Sequence, residues 1–164
     1  AYYANIPIIK SSLITRRTKV KVYKTLIRPI VTYGAETWTL TNKDMEILRR
    51  FERKIIRRIY GAVKEGERWR IRHNEEINNI LEGEDIVRFI KSRRISWMGH
   101  IQRMGTERMP KEVYKGKIYG TAKRGRPRKR WIQDVLEDLK RMKIGGWWEK
   151  AERREEWKQI VKAA

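Results

Sequence analysis

The chain lacks cysteine altogether and has no long apolar run. The absence of cysteine excludes a disulfide framework, a zinc ribbon, a CCHC zinc knuckle and a thiol nucleophile. A membrane-spanning helix needs about 18 consecutive apolar residues, and no such run occurs, so we expect no membrane partner. The first ten residues lack a basic start followed by a longer apolar core, and we do not expect them to be a secretory signal.

Acidic residues are few relative to basic ones. Lysine and arginine together number 41 against 20 aspartates and glutamates, so the 164-residue chain carries a formal net charge of +21. A disordered basic tail is excluded because 40% of the residues are hydrophobic and the seven tryptophans are spread along the chain. The composition therefore predicts a folded, strongly cationic protein whose partner is a polyanion, with nucleic acid as the obvious candidate.

Catalytic motifs are missing as well. No polymerase-like carboxylate pair follows a strand, no P-loop occurs, and the two histidines, His73 and His100, lie in no recognisable nucleophile context. Asp134, Glu137 and Asp138 have i, i+3, i+4 spacing, but we interpret them as ordinary surface acids rather than metal ligands. We predict that this chain is not an enzyme and holds no metal or cofactor.

Apolar periodicity predicts a mainly α fold. We expect a helical hairpin over residues 1–61 and a small helical C-terminal domain over residues 62–164, with at most a short β-hairpin. The clearest amphipathic helix is Asn42–Tyr60, with Thr41 as its N-cap and Gly61 after its last residue.

Turn residues divide the rest of the chain. The polar segment Ala62–Arg72 is interpreted as a short hairpin or a loop, and a helix begins at Asp85. Gly99 lies inside that helix, where its missing side chain should let another element approach closely. Residues 105–126 hold several glycines and are predicted to form a flexible basic loop, in which Lys111–Gly120 has at most a short hairpin.

One face of the helix Asn42–Tyr60 is strongly basic. Six cations fall within ten positions, with only Glu52 among them, and would repel one another on an isolated helix. A phosphate backbone neutralises such a face through counterion release, so we predict phosphate contact; a solvated face, or one paired with acids elsewhere, is the alternative. The six cations are Arg49, Arg50, Arg53, Lys54, Arg57 and Arg58.

A second basic run, Ala122–Trp131, contains no acid. Its core, with the letters RGRP, has the form of an AT-hook, in which an extended Arg-Gly-Arg lies along the minor groove of A·T-rich DNA. Alternatively Gly125 makes a turn and Pro127 begins a helix, and we favour a nucleic-acid backbone bound at this basic helix start. The cations are Lys123, Arg124, Arg126, Arg128, Lys129 and Arg130.

The stretch Lys91–His100 combines cations with aromatic rings. Arg93 and Arg94 are candidate phosphate contacts, and Trp97 and His100 are candidate stacking partners for a base. The alternative, which we favour for the two rings, makes Trp97 a core residue and His100 a partly buried hydrogen-bonding residue.

Four sequence blocks occur in the order found in one known family. They are LIRPIVTYGAETWTL at 26–40, RRFERKIIRRIYG at 49–61, RRISWMGHIQRM at 93–104 and RGRPRKRWIQDVLEDL at 124–139. In these blocks, and in the closing WWEKAERREEWKQIV at 147–161, the chain resembles the C-terminal region of non-LTR retrotransposon endonuclease-reverse transcriptases of the RTE-like kind.

The resemblance implies a polymerase thumb up to about Gly61, which holds the template–primer duplex. It implies a following C-terminal domain that binds element RNA or target DNA during target-primed reverse transcription, and a structural role for the block Tyr33–Trp38. The implied partners are RNA, DNA or their hybrid and an upstream polymerase palm of the same polypeptide, of which this chain would be an excised fragment. The implied location is intracellular, in the nucleus or in a cytoplasmic ribonucleoprotein.

Two other functions stay open at this point. The chain could be a domesticated or isolated interaction module whose basic surface docks an acidic protein. It could also be an AT-hook-like DNA-binding regulator, in which case Arg126 would be needed for a preference for A·T-rich duplex.

Overall fold

The structure is a computed structural model that describes residues 2–116, 125 and 129–164. As predicted, it is mainly α, with one two-stranded antiparallel sheet in the described part. The chain divides into two compact units: unit 1 comprises Ala1–Gly34 with Thr41–Arg88, and unit 2 comprises Ala35–Leu40 with Phe89–Ala164. None of the described helices combines the length and apolarity needed to traverse a bilayer.

Apart from the segment between Lys115 and Trp131, the connections between the elements are short. In chain order they are a 3₁₀ turn (Tyr3–Asn5), α1 (Ile6–Lys10), α2 (Arg16–Val22), a π-helical turn (Tyr23–Ile27), α3 (Arg28–Val31), a second 3₁₀ turn (Ala35–Thr37), α4 (Asn42–Tyr60), β1 (Val63–Glu65), β2 (Arg68–Arg70), α5 (Asn74–Ile80), α6 (Ile86–Arg103), α7 (Met109–Lys115), α8 (Trp131–Arg141), α9 (Trp147–Glu152) and α10 (Arg154–Ala163). Of the two alternatives for residues 62–72, a short hairpin or a loop, the structure shows the hairpin, as β1 and β2.

Helix α4 has the predicted bounds, because the N-cap Thr41, the terminating Gly61 and the apolar face all define the same segment. The Asp44 N–H donates to the Thr41 hydroxyl at 3.2 Å, and the Thr41 N–H donates to the Asp44 carboxylate at 3.0 Å, which completes a capping box. Gly61 ends the helix with a φ of 72°, a left-handed value that favours glycine. The apolar face helps to build the unit 1 core, which contains Ile9, Tyr23, Ile27, Ile55, Ile56, Ile59, Ile77 and Leu81.

The helical segment before Gly34 changes its winding near Pro29. The Arg28 N–H donates to the Tyr23 carbonyl five residues back, so this turn is π-helical. Proline cannot donate a backbone hydrogen bond, and its ring clashes with the carbonyl four residues earlier, so a wider turn relieves the conflict. Pro29 therefore changes the winding of this helical segment without ending it.

Unit 2 packs closely around a glycine of α6. A Cβ placed on Gly99 would lie 2.0 Å from Trp157 Nε1, which confirms the expected close approach of another element. The Trp157 indole donates to the Ile95 carbonyl at 3.0 Å, so its ring is fixed against the α6 backbone. The unit 2 core consists of Ile95, Met98, Val135, Leu139, Ala151, Trp157 and Ile160.

Part of the predicted basic loop is helical. Helix α7 has Pro110 in its first turn, where a missing N–H costs nothing. Lys111 is buried, and its ammonium donates to the Ile101 carbonyl at 3.0 Å and to the Gln102 carbonyl at 2.6 Å near the end of α6. The loop prediction for residues 105–126 was therefore wrong for residues 109–115, while residues 117–124 and 126–128 lie outside the described part.

The two packing units do not coincide with the predicted domains 1–61 and 62–164. Those domains were assigned by expected function, and that assignment stays a prediction. Helix α5 contributes Ile77 to the unit 1 core. In unit 2, the Trp131 indole donates to the Glu36 carbonyl at 2.7 Å, and the Leu40 N–H donates to Asp134 at 3.2 Å. The segment that includes Glu36 therefore has packing contacts with α8, nearly a hundred residues later.

Candidate nucleic-acid interface

The six cations of α4 lie in two rows, because residues four apart on a helix stack above one another. The half-buried inner row consists of Arg49, Arg53 and Arg57. The exposed outer row consists of Arg50, Lys54 and Arg58. The two rows meet different surroundings, and only part of the predicted face is available to an external anion.

The ends of the inner row hold other parts of unit 1. Arg49 Nε lies 2.6 Å from Asp85 Oδ2, just before α6 begins. Arg57 donates to the Arg72 carbonyl at 3.0 Å and to Asn74 Oδ1 at 2.7 Å, at the start of α5. These two arginines therefore have structural partners. The charge of Arg49 is paired with a carboxylate, whereas Arg57 has neutral partners and its charge is not compensated by them.

The two cations at the ends of the outer row have partners at the surface. Arg50 Nη2 lies 3.2 Å from Glu46 Oε2, and both side chains are largely exposed. Arg58 donates to the Tyr2 hydroxyl at 2.7 Å and lies over its ring. An exposed ion pair of this kind contributes little to stability and exchanges readily for a phosphate.

Arg53 and Lys54 occupy the middle of α4. Neither side chain has a hydrogen bond or an ion pair within the described part of the chain. A shallow cleft of about 300 Å³, here called the basic cleft, begins at Lys54 and follows the C-terminal end of the helix. Its lining residues are Lys54, Arg57, Arg58, Gly61, Ala62 and Ile71.

The one acid of this stretch of α4 points into the core. Glu52 is 1% exposed; it accepts a hydrogen bond from the Tyr23 hydroxyl at 2.7 Å and another from the Ile86 N–H at 2.8 Å. Burial raises the pKa of the Glu52 carboxyl, and burial together with the nearby carboxylate raises the pKa of Tyr23 well above its usual range. Glu52 therefore does not neutralise the basic face, although the sequence places it among the cations.

In unit 2 the structure corrects the prediction for Arg94. Its side chain is 1% exposed, and Nη2 lies 2.6 Å from Asp134 Oδ2. Nη1 lies 4.0 Å from Asp138 Oδ2, whose other oxygen is 2.7 Å from Lys91 Nζ. The interpretation of Asp134 and Asp138 as surface acids was also wrong, because both are buried as counter-ions of these cations.

The signal that could have identified Arg94 is its position in the apolar pattern. It follows Ile90 by four residues and precedes Met98 by four, so it shares their buried face of α6. Its neighbour Arg93 is 58% exposed and lies 3.3 Å from Glu36 Oε1. Arg93 therefore stays a candidate phosphate contact.

The second basic run is only partly described. Lys129 Nζ lies 2.7 Å from Asp134 Oδ1 and also contacts Glu137, and these hydrogen bonds raise the pKa of the ammonium. Arg130 is exposed just before α8, and its N–H donates to Gln133 at 3.0 Å. The AT-hook core and its flanks, Lys123, Arg124, Arg126 and Arg128, lie outside the described residues, so that prediction stays open.

The two candidate stacking rings lie against each other. The ring centroids of Trp97 and His100 are 5.2 Å apart with a tilt of 36°. Trp97 is half-buried, while His100 is exposed, so the favoured interpretation of His100 as partly buried was wrong. Base stacking at either ring stays a prediction.

Sequence reasoning missed a further aromatic residue. Trp69 lies on β2 and is 69% exposed. The available signal was a tryptophan between two arginines, directly after the turn at Gly66. An exposed ring beside cations is a combination that nucleic-acid-binding surfaces use.

Comparison with known proteins finds one informative relative. The chain is similar to a transposon-derived protein of Caenorhabditis elegans, with 24% identity over 157 residues that cover 92% of this chain and 56% of that protein. The chain thus spans about half the length of this relative, and the similarity supports a transposon origin. No protein-family model and no solved structure matches the sequence.

Proposed function

We propose that this chain is the nucleic-acid-binding thumb and C-terminal portion of a non-LTR retrotransposon reverse transcriptase. In this role it holds template–primer duplex, target DNA or element RNA beside an upstream polymerase palm. The observation that carries the proposal is that Arg53 and Lys54, in the middle of a well-capped helix, have no side-chain partner among the described residues. The similarity to a transposon-derived protein supports the retroelement part of the proposal.

The proposed contacts are to phosphates rather than to base edges. The outer row has one cation per turn along the rigid helix α4, and Arg53 adds a cation from the inner row. Such contacts fix the position of a nucleic acid without reading its sequence. Affinity should therefore fall steeply with salt, by about 0.9 in the logarithmic slope for each duplex phosphate contacted.

The test is a double charge reversal, Arg53→Glu with Lys54→Glu. Arg57 is left intact because its bonds to Arg72 and Asn74 support the fold. We expect duplex affinity to fall about tenfold or more at low salt, and the salt slope to become shallower by about 1.8 for two lost contacts. Fluorescence anisotropy with labelled duplex DNA and RNA–DNA hybrid at several salt concentrations measures both quantities.

The matched control is Lys140→Glu with Lys162→Glu, which changes the net charge equally at two exposed positions of unit 2. This variant should retain affinity within about threefold, because only long-range attraction is altered. An equal loss in both variants would mean that total charge decides binding, and salt-insensitive binding would contradict phosphate contact. A wild-type chain that binds an acidic protein but no nucleic acid would instead support the interaction-module alternative.

A further inference from the structure

The β1–β2 hairpin presents an aromatic ring that fills no core. Its antiparallel register pairs Lys64 with Trp69, so the two side chains lie side by side on one face. Trp69 is 69% exposed, although indole is among the side chains that gain most from burial. A cation next to an exposed indole is suited to a ligand with both a π-face and negative charge.

The same hairpin face continues into the basic cleft. Residues two apart along a strand share a face, so Ala62 and Ile71 follow the pair Lys64 and Trp69 at the base of the hairpin. Both Ala62 and Ile71 line the basic cleft together with Lys54. Because two strand residues span about 7 Å, the indole and the cleft cations flank one surface of unit 1.

The opposite face of the hairpin fixes its position. Arg70 Nε lies 2.6 Å from Glu65 Oε2, and Arg70 Nη1 lies 2.8 Å from Glu76 Oε2 on α5. Glu76 also accepts the His73 N–H at 2.6 Å, which ties the start of α5 to the same carboxylate. The hairpin is therefore anchored through Arg70 to an element of unit 1, while Trp69 projects from the other face.

We propose that this surface binds a single-stranded segment of nucleic acid, with an unpaired base stacked on Trp69 and its neighbouring phosphates on the cations of the basic cleft. The inference rests on the proposed function and names the substrate form that this part of the surface recognises. Bases inside a duplex already stack on each other, so an exposed indole can add stacking only to an unpaired base. The Lys54, Arg57 and Arg58 side chains supply the complementary charge for the backbone.

The experiment compares Trp69→Ala and Trp69→Phe with the wild-type full chain. Anisotropy is measured with a labelled single strand, as DNA and as RNA, with its duplex, and with the same DNA strand carrying abasic sites. Trp69→Ala should weaken binding to both single strands about fivefold or more and leave duplex binding within about twofold, since stacking involves the base and not the sugar. Trp69→Phe should retain most of the affinity because phenylalanine keeps a stacking ring.

The control is Trp148→Ala, which removes an exposed tryptophan of unit 2 and should leave all affinities unchanged. The abasic strand should bind wild-type chain and Trp69→Ala equally, because it offers phosphates without bases. Equal loss for single strand and duplex, or no loss for either while binding stays salt-dependent, would overturn the stacking proposal and leave the proposed function intact. Absence of binding to every probe by the wild-type chain would overturn both.

Discussion

The two units treat buried charge in opposite ways. Unit 1 buries a carboxylate, Glu52, and satisfies it with two neutral donors, the Tyr23 hydroxyl and the Ile86 N–H. Unit 2 buries a guanidinium, Arg94, and pairs it with carboxylates, chiefly that of Asp134, while its Nε has no hydrogen-bond partner within the described residues. In unit 1 the α4 cations Arg53 and Lys54 have no acidic partner within the described residues. In unit 2 the buried acids Asp134 and Asp138 pair with cations, which are Lys91, Arg94 and Lys129.

The difference shows why a net charge of +21 does not locate a binding surface. Lys91, Arg94 and Lys129 lie in a basic stretch of sequence, yet all three have carboxylate partners within unit 2. Arg53 and Lys54 lie among similar neighbours and have none within the described residues. A buried cation that already has a carboxylate partner is not available to an external phosphate, whereas an exposed cation with no partner, or with only an exposed one, is available.

The largest effect should come from removing the buried cation of unit 2. Arg94→Met keeps a long side chain but leaves Asp134 and Asp138 with less compensation, and should cost about 3–5 kcal/mol of unfolding free energy. The neighbouring change Arg93→Met removes an exposed charge and should cost at most about 1 kcal/mol. Urea unfolding followed by far-UV circular dichroism measures both. Similar losses would contradict the buried charge pair of Arg94 on which the description of unit 2 rests.

A smaller loss of unfolding free energy should come from Glu52→Gln, which removes the buried acid of unit 1. The two oxygens of the Glu52 carboxylate each accept one hydrogen bond, from Tyr23 and from Ile86. Glutamine has a single oxygen in their place and loses one of these bonds, so we expect a cost of about 1–3 kcal/mol of unfolding free energy. The cost should also depend on pH. Because the folded pKa of Glu52 is raised, its protonated form is favoured by folding, and this stabilisation is complete below the ordinary glutamate pKa of 4.5 and lost as pH rises through the folded value.

The wild-type chain should therefore lose unfolding free energy relative to the Glu52→Gln variant as pH rises above 4.5. Urea unfolding of both proteins at several pH values gives the difference, in which the titration of other carboxylates largely cancels. If the unfolding free energy of the wild-type chain instead rises relative to that of the variant as pH increases, the buried carboxylate is stabilised in its charged form, contrary to the direction given by burial.

The smallest effect should separate one free cation from one paired cation. Lys54→Gln removes a charge that has no partner in the described part of the chain, and should make the salt slope of duplex binding shallower by about 0.9, with little change in stability. Lys129→Gln removes a charge already held by Asp134 and should leave the slope unchanged. Anisotropy titrations at several salt concentrations measure the slopes, and equal slopes for the two variants would remove the distinction between free and paired cations.

Local signals predicted the backbone of this protein better than its charge network. Thr41, Gly61 and Gly99 act within a few residues or through the absence of a side chain, and their predicted roles agree with the structure. The burial of Arg94 depends on Asp134, which lies 40 residues away, and periodicity cannot show such a partner. The position of Arg94 in the apolar stripe of α6 indicated that it is buried, whereas its charge favoured an exposed position.

For the candidate site, too, the features that depend on local spacing could be predicted, and those that depend on distant segments could not. The basic face of α4 was predicted as six equivalent cations, and its helix and exposure could be deduced from spacing alone. The division into inner and outer rows could not, because it depends on Asp85, Arg72 and Asn74 approaching from later segments. Trp69 was missed because an exposed tryptophan breaks the usual expectation that large apolar side chains are buried.

The contact between Leu40 and Asp134 has a consequence for synthesis on the ribosome. The two residues are 94 positions apart, so at typical elongation rates roughly 5 to 20 seconds pass between their appearance. During that interval the Leu40 N–H lacks its Asp134 partner, although the whole of unit 1, which ends at Arg88, has already been synthesised. A nascent chain stalled before α8 should thus show unit 1 protected from proteases while Ala35–Leu40 is still cleavable, and completion of α8 should close that window.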